Sequence, residues 1–266
     1  GGATVGVLVL GYFWTACCGQ GPGFVERVGY LAALAHVPMQ WMPILMIKAS
    51  LAANIPTFDE GGQHRCTCGL NWHAHFCYAL TLALASPVLS MSVKGSMKNG
   101  KAPFIGKMCP TIAKELYPLW LYCLTIAGAA DQYLDATVVA AALSCEWRLS
   151  WLMLLVYGAS IGLQAFCACL GSGDMAGAAY ALMGVSPEGF VRADESQHQT
   201  YQERLAYQAS VGVARLLTEN IPQSLLQGLF VKEVIGNRTI AYLSMGMSLC
   251  LGLKCFIIGM RYWCCR

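Results

Sequence analysis

An all-α bundle of membrane-embedded helices is the fold class this sequence predicts, and three observations carry it. Hydrophobic residues make up 56% of the chain and charged residues only 12%, roughly half the charged share of an ordinary soluble domain. Mean hydropathy is +0.51. The apolar residues also gather into about seven runs near the ~20 residues that a membrane-crossing helix needs. With no soluble domain appended and no internal repeat, residues 1–266 read as a single integral membrane domain. The net charge of +3 is small, and no Lys/Arg tract is interleaved with aromatics, so composition gives no reason to expect nucleic acid.

The first apolar run opens at Ala3 and ends at the turn signal Gly19-Gln20-Gly21-Pro22-Gly23. The second, Val28 to Ala53, carries His36 and Lys48 and is interrupted by Pro38 and Pro43, which should kink it. A polar, Gly-rich loop follows over Asn54–Gly69 (54–69). A third run, Ala74 to Val93, leads into the loop Lys94–Thr111 (94–111), where Lys94, Lys98, Lys101 and Lys107 occur without an acidic residue. By the positive-inside rule this loop marks the cytoplasmic or equivalent side. The fourth helix is expected from Ile112 to Ser144, with a bend near Pro118, and the short polar link Cys145 to Arg148 makes a hairpin into the fifth, Leu149 to Gly171. The loop Ser172–Thr200 (172–200) contains one short apolar piece, better suited to an interface than to a span. After the helix Tyr201 to Val234 and the turn Gly236-Asn237, the last run covers Thr239 to Trp263 and ends in Arg261, Tyr262, Trp263 and Arg266, an aromatic and basic interfacial anchor. If each run spans once, the Lys-rich loop, the 172–200 loop and the C-terminus share one side, and Gly1 and the 54–69 loop share the other. The chain starts at Gly1 rather than Met, which leaves room for a preceding segment.

The helix Tyr201 to Val234 holds the most informative pattern. Arg215, Glu219, Gln223 and Gln227 stand four apart and so form one polar ladder, drifting by roughly 40° per step, while Leu216, Leu217, Leu225, Leu226 and Leu229 cover other faces. Pro222 removes a backbone donor inside that stripe and frees the carbonyl of Thr218. Asp131 and Asp135, also four apart, present two carboxylates from one face of the fourth helix. Ionisable groups at such depth are costly and face a partner or a water-filled space. They are therefore candidates either for a structural pairing with Arg215 or Lys254, or for a polar path. Glu219 is expected to face the protein interior, beside at least one of Arg215, Asp131, Asp135 or Lys254.

A second cluster lies in HRCTCGLNWHAHFC. His64, Cys66, Cys68, His73 and Cys77 could close a tetrahedral N/S site for zinc, although Cys-x-Cys departs from the usual zinc spacing. A disulfide from Cys66 or Cys68 to Cys77 is a second reading, and plain interfacial residues a third. Most of the other cysteines, among them Cys123, Cys167, Cys250 and Cys255, lie in apolar runs, where a free thiol acts as a small hydrophobe. The pairs Cys17-Cys18 and Cys264-Cys265 fit acylation near a membrane surface. His36 suits a hydrogen-bonded core residue better than a pigment or haem ligand. There is no P-loop, G-x-G-x-x-G, G-x-S-x-G or H-E-x-x-H, so no familiar catalytic signature supports an enzyme. Ser244, Ser248 and Gly252 form a small-residue stripe suited to close helix packing.

The segment Glu219-Asn220-Ile221-Pro222-Gln223, followed by Gln227, resembles the polar helix of the XK-related membrane proteins. Ser244, Ser248 and Leu251-Gly252-Leu253 fit the Ser-rich apolar helix that follows it there, and Asp131-x-x-x-Asp135-Ala136 is similar to their Asp-containing helix. The resemblance covers the second half of the chain, from Asp131 onward. It implies a non-enzymatic membrane protein engaged in lipid scrambling or transport, with membrane lipids as its partners and Asp131, Asp135, Arg215, Glu219, Gln223 and Gln227 along the path. The alternative is a structural accessory subunit of a larger respiratory or photosynthetic membrane complex, which would bury the same ladder and offer apolar faces to other subunits. The sequence names neither an organelle nor a cofactor.

Overall fold

In a computed structural model of the chain, the described residues are 37–44, 57–58, 64–65, 75–83, 110–172, 209–235 and 239–264. They are helical apart from one minimal sheet. Helices α1 (37–44) and α2 (75–83) precede two long ones, α3 (Pro110–Ser144) and α4 (Ser150–Ser172). Helix α5 (209–233) ends in Ile221–Glu233, and α6 covers Thr239–Cys264. Within the described residues, α4 and α6 each contain a window long and apolar enough to cross a membrane, Ser150–Cys167 and Thr239–Ile257.

The α3–α4 hairpin shows how the chain reverses. Glu146 donates its N–H to the Leu143 carbonyl at 3.2 Å and Trp147 donates to Ala142 at 3.0 Å, the paired bonds of a Schellman stop with Glu146 in the left-handed position at φ 49°. A side chain in that position is strained, and glycine usually takes it. The link is less polar than its sequence suggests. Cys145 and Trp147 are buried, and Trp147 packs edge-on against Phe230 with ring centroids 5.4 Å apart. The core around them includes Val138, Val139, Met153, Tyr157, Leu226, Phe230 and Ile240.

Helix α5 is continuous but not uniform. Its turn Leu216–Asn220 is a π turn, closed by the Ile221 N–H donating to the Leu216 carbonyl. Pro222 has no N–H to offer the Thr218 carbonyl, and a one-residue expansion of the ladder absorbs that gap. The expansion also turns two consecutive side chains, Glu219 and Asn220, toward the interior. Gly252 of α6 makes room for Asn220, since a Cβ there would lie 3.2 Å from both Asn220 Nδ2 and Leu216 Cδ1.

The sheet was not anticipated from sequence. It consists of β1 (Thr57–Phe58), antiparallel to β2 (His64–Arg65), which runs parallel to β3 (Val234–Ile235). Its register sets His64 beside Val234 and Arg65 beside Ile235, tying the 54–69 loop to the end of α5. On that same end the Glu233 carboxylate accepts from Trp147 Nε1 at 2.9 Å and from Arg148 Nη2 at 2.6 Å.

Candidate functional site: a buried polar seam across four helices

Helices α3 to α6 each turn polar side chains toward a common interior line, and the outer face of α5 shows how sharply the two sides differ. Leu217, Ile221, Leu225 and Leu229, four apart, are 42% to 64% exposed, whereas Arg215, Glu219, Gln223 and Gln227 are 0% to 2% exposed. The charged ladder is inside and the leucines are outside. The ladder spacing seen in the sequence thus becomes a buried seam, held between Asp131 and Asp135 of α3, Gln164 of α4, and Ser244 and Ser248 of α6.

Two joined networks make up the seam. In the first, Arg215 Nε donates to Glu219 Oε2 at 2.7 Å, and Gln164 Nε2 donates to the same oxygen at 2.6 Å. The Arg215 Nη2 group stands 3.8 Å from Asp131 Oδ2, while Asp131 Oδ1 accepts from Ser248 Oγ at 3.1 Å. In the second, Asp135 Oδ1 accepts a short hydrogen bond from Ser244 Oγ and a 2.9 Å bond from Gln227 Nε2, which lies 2.8 Å from Ser244 Oγ as well. The guanidinium therefore meets two carboxylates, Glu219 and Asp131, and the third, Asp135, lies close to both, all of them buried. The π turn helps, because it keeps Arg215 and Glu219 in contact while delivering Glu219 to the Asp131 side.

The seam contains more hydrogen-bonding capacity than its own side chains use. Neither amide atom of Gln223 has a hydrogen-bond partner among the described residues, and the same holds for Gln132 and Asn220. Gln164 Oε1 and Gln227 Oε1 are likewise unbonded, although the amide nitrogens of both touch carboxylates. Buried polar groups are normally satisfied, so such a set marks a place for water or a polar ligand. Carboxylate oxygens of Asp131, Asp135 and Glu219 lie within 4.8 Å of one another. An all-oxygen set of this kind suits a hard cation or a cationic head group.

An aromatic rim flanks the seam. Tyr78 stacks on Tyr133 with centroids 3.7 Å apart and donates to the Ala129 carbonyl at 3.0 Å, and His75 Nδ1 is 2.9 Å from the Tyr133 hydroxyl. Tyr157 donates to the Gln132 carbonyl at 3.2 Å. These contacts hold the Asp131 turn of α3 from two sides.

All six residues expected along the seam lie in it, although Gln223 makes no hydrogen bond there. Sequence reasoning missed three others. Gln164 was a lone amide in an apolar run, and Ser244 and Ser248 were read as packing residues, whereas their hydroxyls bind Asp135 and Asp131. Lys254, the other cation considered for Glu219, is half-buried on α6. The zinc reading falls mainly outside the described residues, as do Cys66, Cys68, His73 and the His64 side chain. Cys77 is a free, exposed thiol, which corrects the disulfide proposed for it, because its helix α2 turns it outward. His36, Cys17, Cys18 and Cys265 also lie outside the described residues, and Cys264 is an exposed free thiol. Comparison with protein-family models, curated proteins and solved structures finds no match.

Proposed function

We propose that the chain is a non-enzymatic integral membrane protein with about seven membrane-embedded segments, and that its acidic seam carries polar head groups or cations through an apolar surround, as in lipid scrambling or transport. One observation carries this reading: the seam's surplus of buried, unbonded amide groups, beside three carboxylates and one guanidinium. A clamp serving stability alone would satisfy its own groups, since each one left unbonded costs about 1–3 kcal/mol. Membrane embedding is supported by the windows on α4 and α6, of which only 33% and 39% is buried. A core helix of a soluble protein would be covered, but these present Trp151, Leu155, Phe166, Leu249, Leu253 and Phe256 outward. The resemblance to XK-related proteins points the same way.

Reconstitution tests it directly. Purified protein in vesicles carrying a fluorescent phospholipid should expose inner-leaflet label to an impermeant reductant, and Gln223→Leu and Asp135→Asn should slow that exposure. Vesicles that behave like protein-free ones, with correctly folded protein inserted, would remove the scrambling reading.

A second reading is favoured by one specific observation: the charged members of the seam are closed to solvent. On that reading the chain is a structural accessory subunit, the seam clamps its helices, and the outward leucines meet other membrane subunits. Isolation from native membranes separates the two. A lone protein or homodimer favours the path, and stoichiometric recovery within a respiratory or photosynthetic assembly favours the clamp.

A further inference from the structure

We propose, on the path reading above, that the acidic seam takes a primary ammonium group, carried by a lipid head group or a free amine, and selects it over quaternary ammonium and divalent metal. Arg215 holds Glu219 at 2.7 Å and Asp131 at 3.8 Å, whereas Asp135, the third buried carboxylate, makes no ion pair among the described residues. Its partners are the neutral side chains of Ser244 and Gln227. A buried carboxylate without a counter-charge calls for one.

The unmet hydrogen bonds decide which cation fits. A carboxylate only accepts, so Gln164 and Gln227 must turn Nε2 to Glu219 and Asp135, and the Oε1 atom of each is left unbonded beside the same carboxylates. Asp131 Oδ2 accepts no hydrogen bond either, and Gln223, 1% exposed and midway between Glu219 and Gln227 on the ladder, has both amide atoms unbonded. These four residues thus offer four oxygens, one each, against the single Nε2 of Gln223. Gln132 and Asn220 add one acceptor and one donor apiece and leave that excess of acceptors unchanged.

A group that carries one positive charge and donates several hydrogen bonds meets this demand, and a primary ammonium has three N–H donors. Acceptors at about 2.8 Å from such a nitrogen, in tetrahedral directions, stand about 4.6 Å apart. The carboxylate oxygens of Asp131, Asp135 and Glu219 lie within 4.8 Å of one another. A quaternary ammonium has no donor and is held over open aromatic faces, whereas Tyr78 and Tyr133 beside the seam lie face to face with centroids 3.7 Å apart. A divalent metal would have to draw Glu219 and Asp131 away from Arg215, and the guanidinium would repel it.

The test uses the parent protein first, so it does not depend on a variant that folds. In vesicles carrying acyl-labelled phosphatidylethanolamine or acyl-labelled phosphatidylcholine, which differ in methylation of the head-group nitrogen, dithionite should bleach the inner-leaflet ethanolamine lipid about tenfold faster or more, the equivalent of one hydrogen bond to a charged group. In detergent, methylammonium should raise the melting temperature, and tetramethylammonium and calcium at equal ionic strength should not. Asp135→Asn should bring the two lipid rates together, whereas a purely structural Asp135 would slow both alike. Selection between the lipids assigns a head group as the source of the ammonium; a methylammonium shift without selection assigns a free amine. Equal lipid rates with no methylammonium shift, or a shift given equally by tetramethylammonium or calcium, overturn the proposal while the moving lipids keep the path. If neither lipid moves, the lipid path falls, and the methylammonium shift alone decides whether the site takes a free amine.

Discussion

Glu219 shows at the scale of one residue why the seam is costly to alter. Its carboxylate accepts from Arg215 and from Gln164, and its side chain is shut away from solvent. Removing one member of a buried pair leaves the other charge uncompensated, so Glu219→Ala should destabilise the protein by ~3–5 kcal/mol, measured as thermal unfolding in detergent. A double replacement, Arg215→Met with Glu219→Leu, should cost less than the sum of the two single changes, because their mutual interaction is then lost only once, although Asp131 still loses its cation. If the single variants melt like the parent, the pair has no structural weight. This part of the site was legible in the sequence, since four polar residues at four-residue spacing on an apolar helix admit few other arrangements. Ser244 and Ser248 were not legible as carboxylate partners. A hydroxyl that packs and a hydroxyl that donates leave the same mark in a sequence, and only the position of Asp131 and Asp135 opposite them decides which it is.

Among elements, the long helices could be read because polar turns bound them: Ile112 to Ser144 was expected and Pro110–Ser144 is found, and Thr239 to Trp263 corresponds to Thr239–Cys264. The sheet could not be read, since strands of two residues are too short to show alternation, and neither could the π turn, because Pro222 announces a break without fixing its form. Each feature makes a prediction. Glu146→Gly should raise stability by about 0.5–1 kcal/mol, because glycine takes φ 49° without the strain of a side chain, and a calorimetric scan would register it. Gly252→Val should cost about 1–3 kcal/mol by pressing on Asn220 and Leu216, read as a lower melting temperature. At the end of α5, beyond the apolar spans, hydrogen bonds from Trp147 and then Arg148 hold the Glu233 carboxyl below the ordinary carboxylate range. A lowered folded value contributes stability that is complete above the ordinary value and is lost as pH falls through the lowered one. The melting-temperature gap between the parent and Glu233→Gln should therefore be widest near neutrality and close in acid. A gap that stays constant with pH would show that the carboxylate's charge is not what holds the hairpin.

Across the bundle as described, leucines, tryptophans and phenylalanines such as Trp151, Leu155, Leu225 and Phe256 face outward, whereas Asp131, Asp135, Arg215 and Glu219 are buried together. Composition made the outward apolar faces legible, but not how fully the buried charges satisfy one another, which depends on helix rotation and on the π turn. Gln223 turns the difference between a path and a clamp into a measurement. It is buried in the centre of the ladder, and neither amide atom has a hydrogen-bond partner among the described residues. Leucine has nearly the same volume and no polar group to leave unbonded. Gln223→Leu should therefore fold as well as the parent and gain up to about 1–3 kcal/mol in stability, yet lose lipid or ion movement in reconstituted vesicles. That combination, stability up and movement down, is what a path predicts, because a site kept polar for passage pays in stability for groups it cannot satisfy alone. A clamp predicts the opposite. If Gln223 bonds through ordered water to its neighbours in a closed assembly, leucine would strand those neighbours, lower the melting temperature and loosen association with partner subunits.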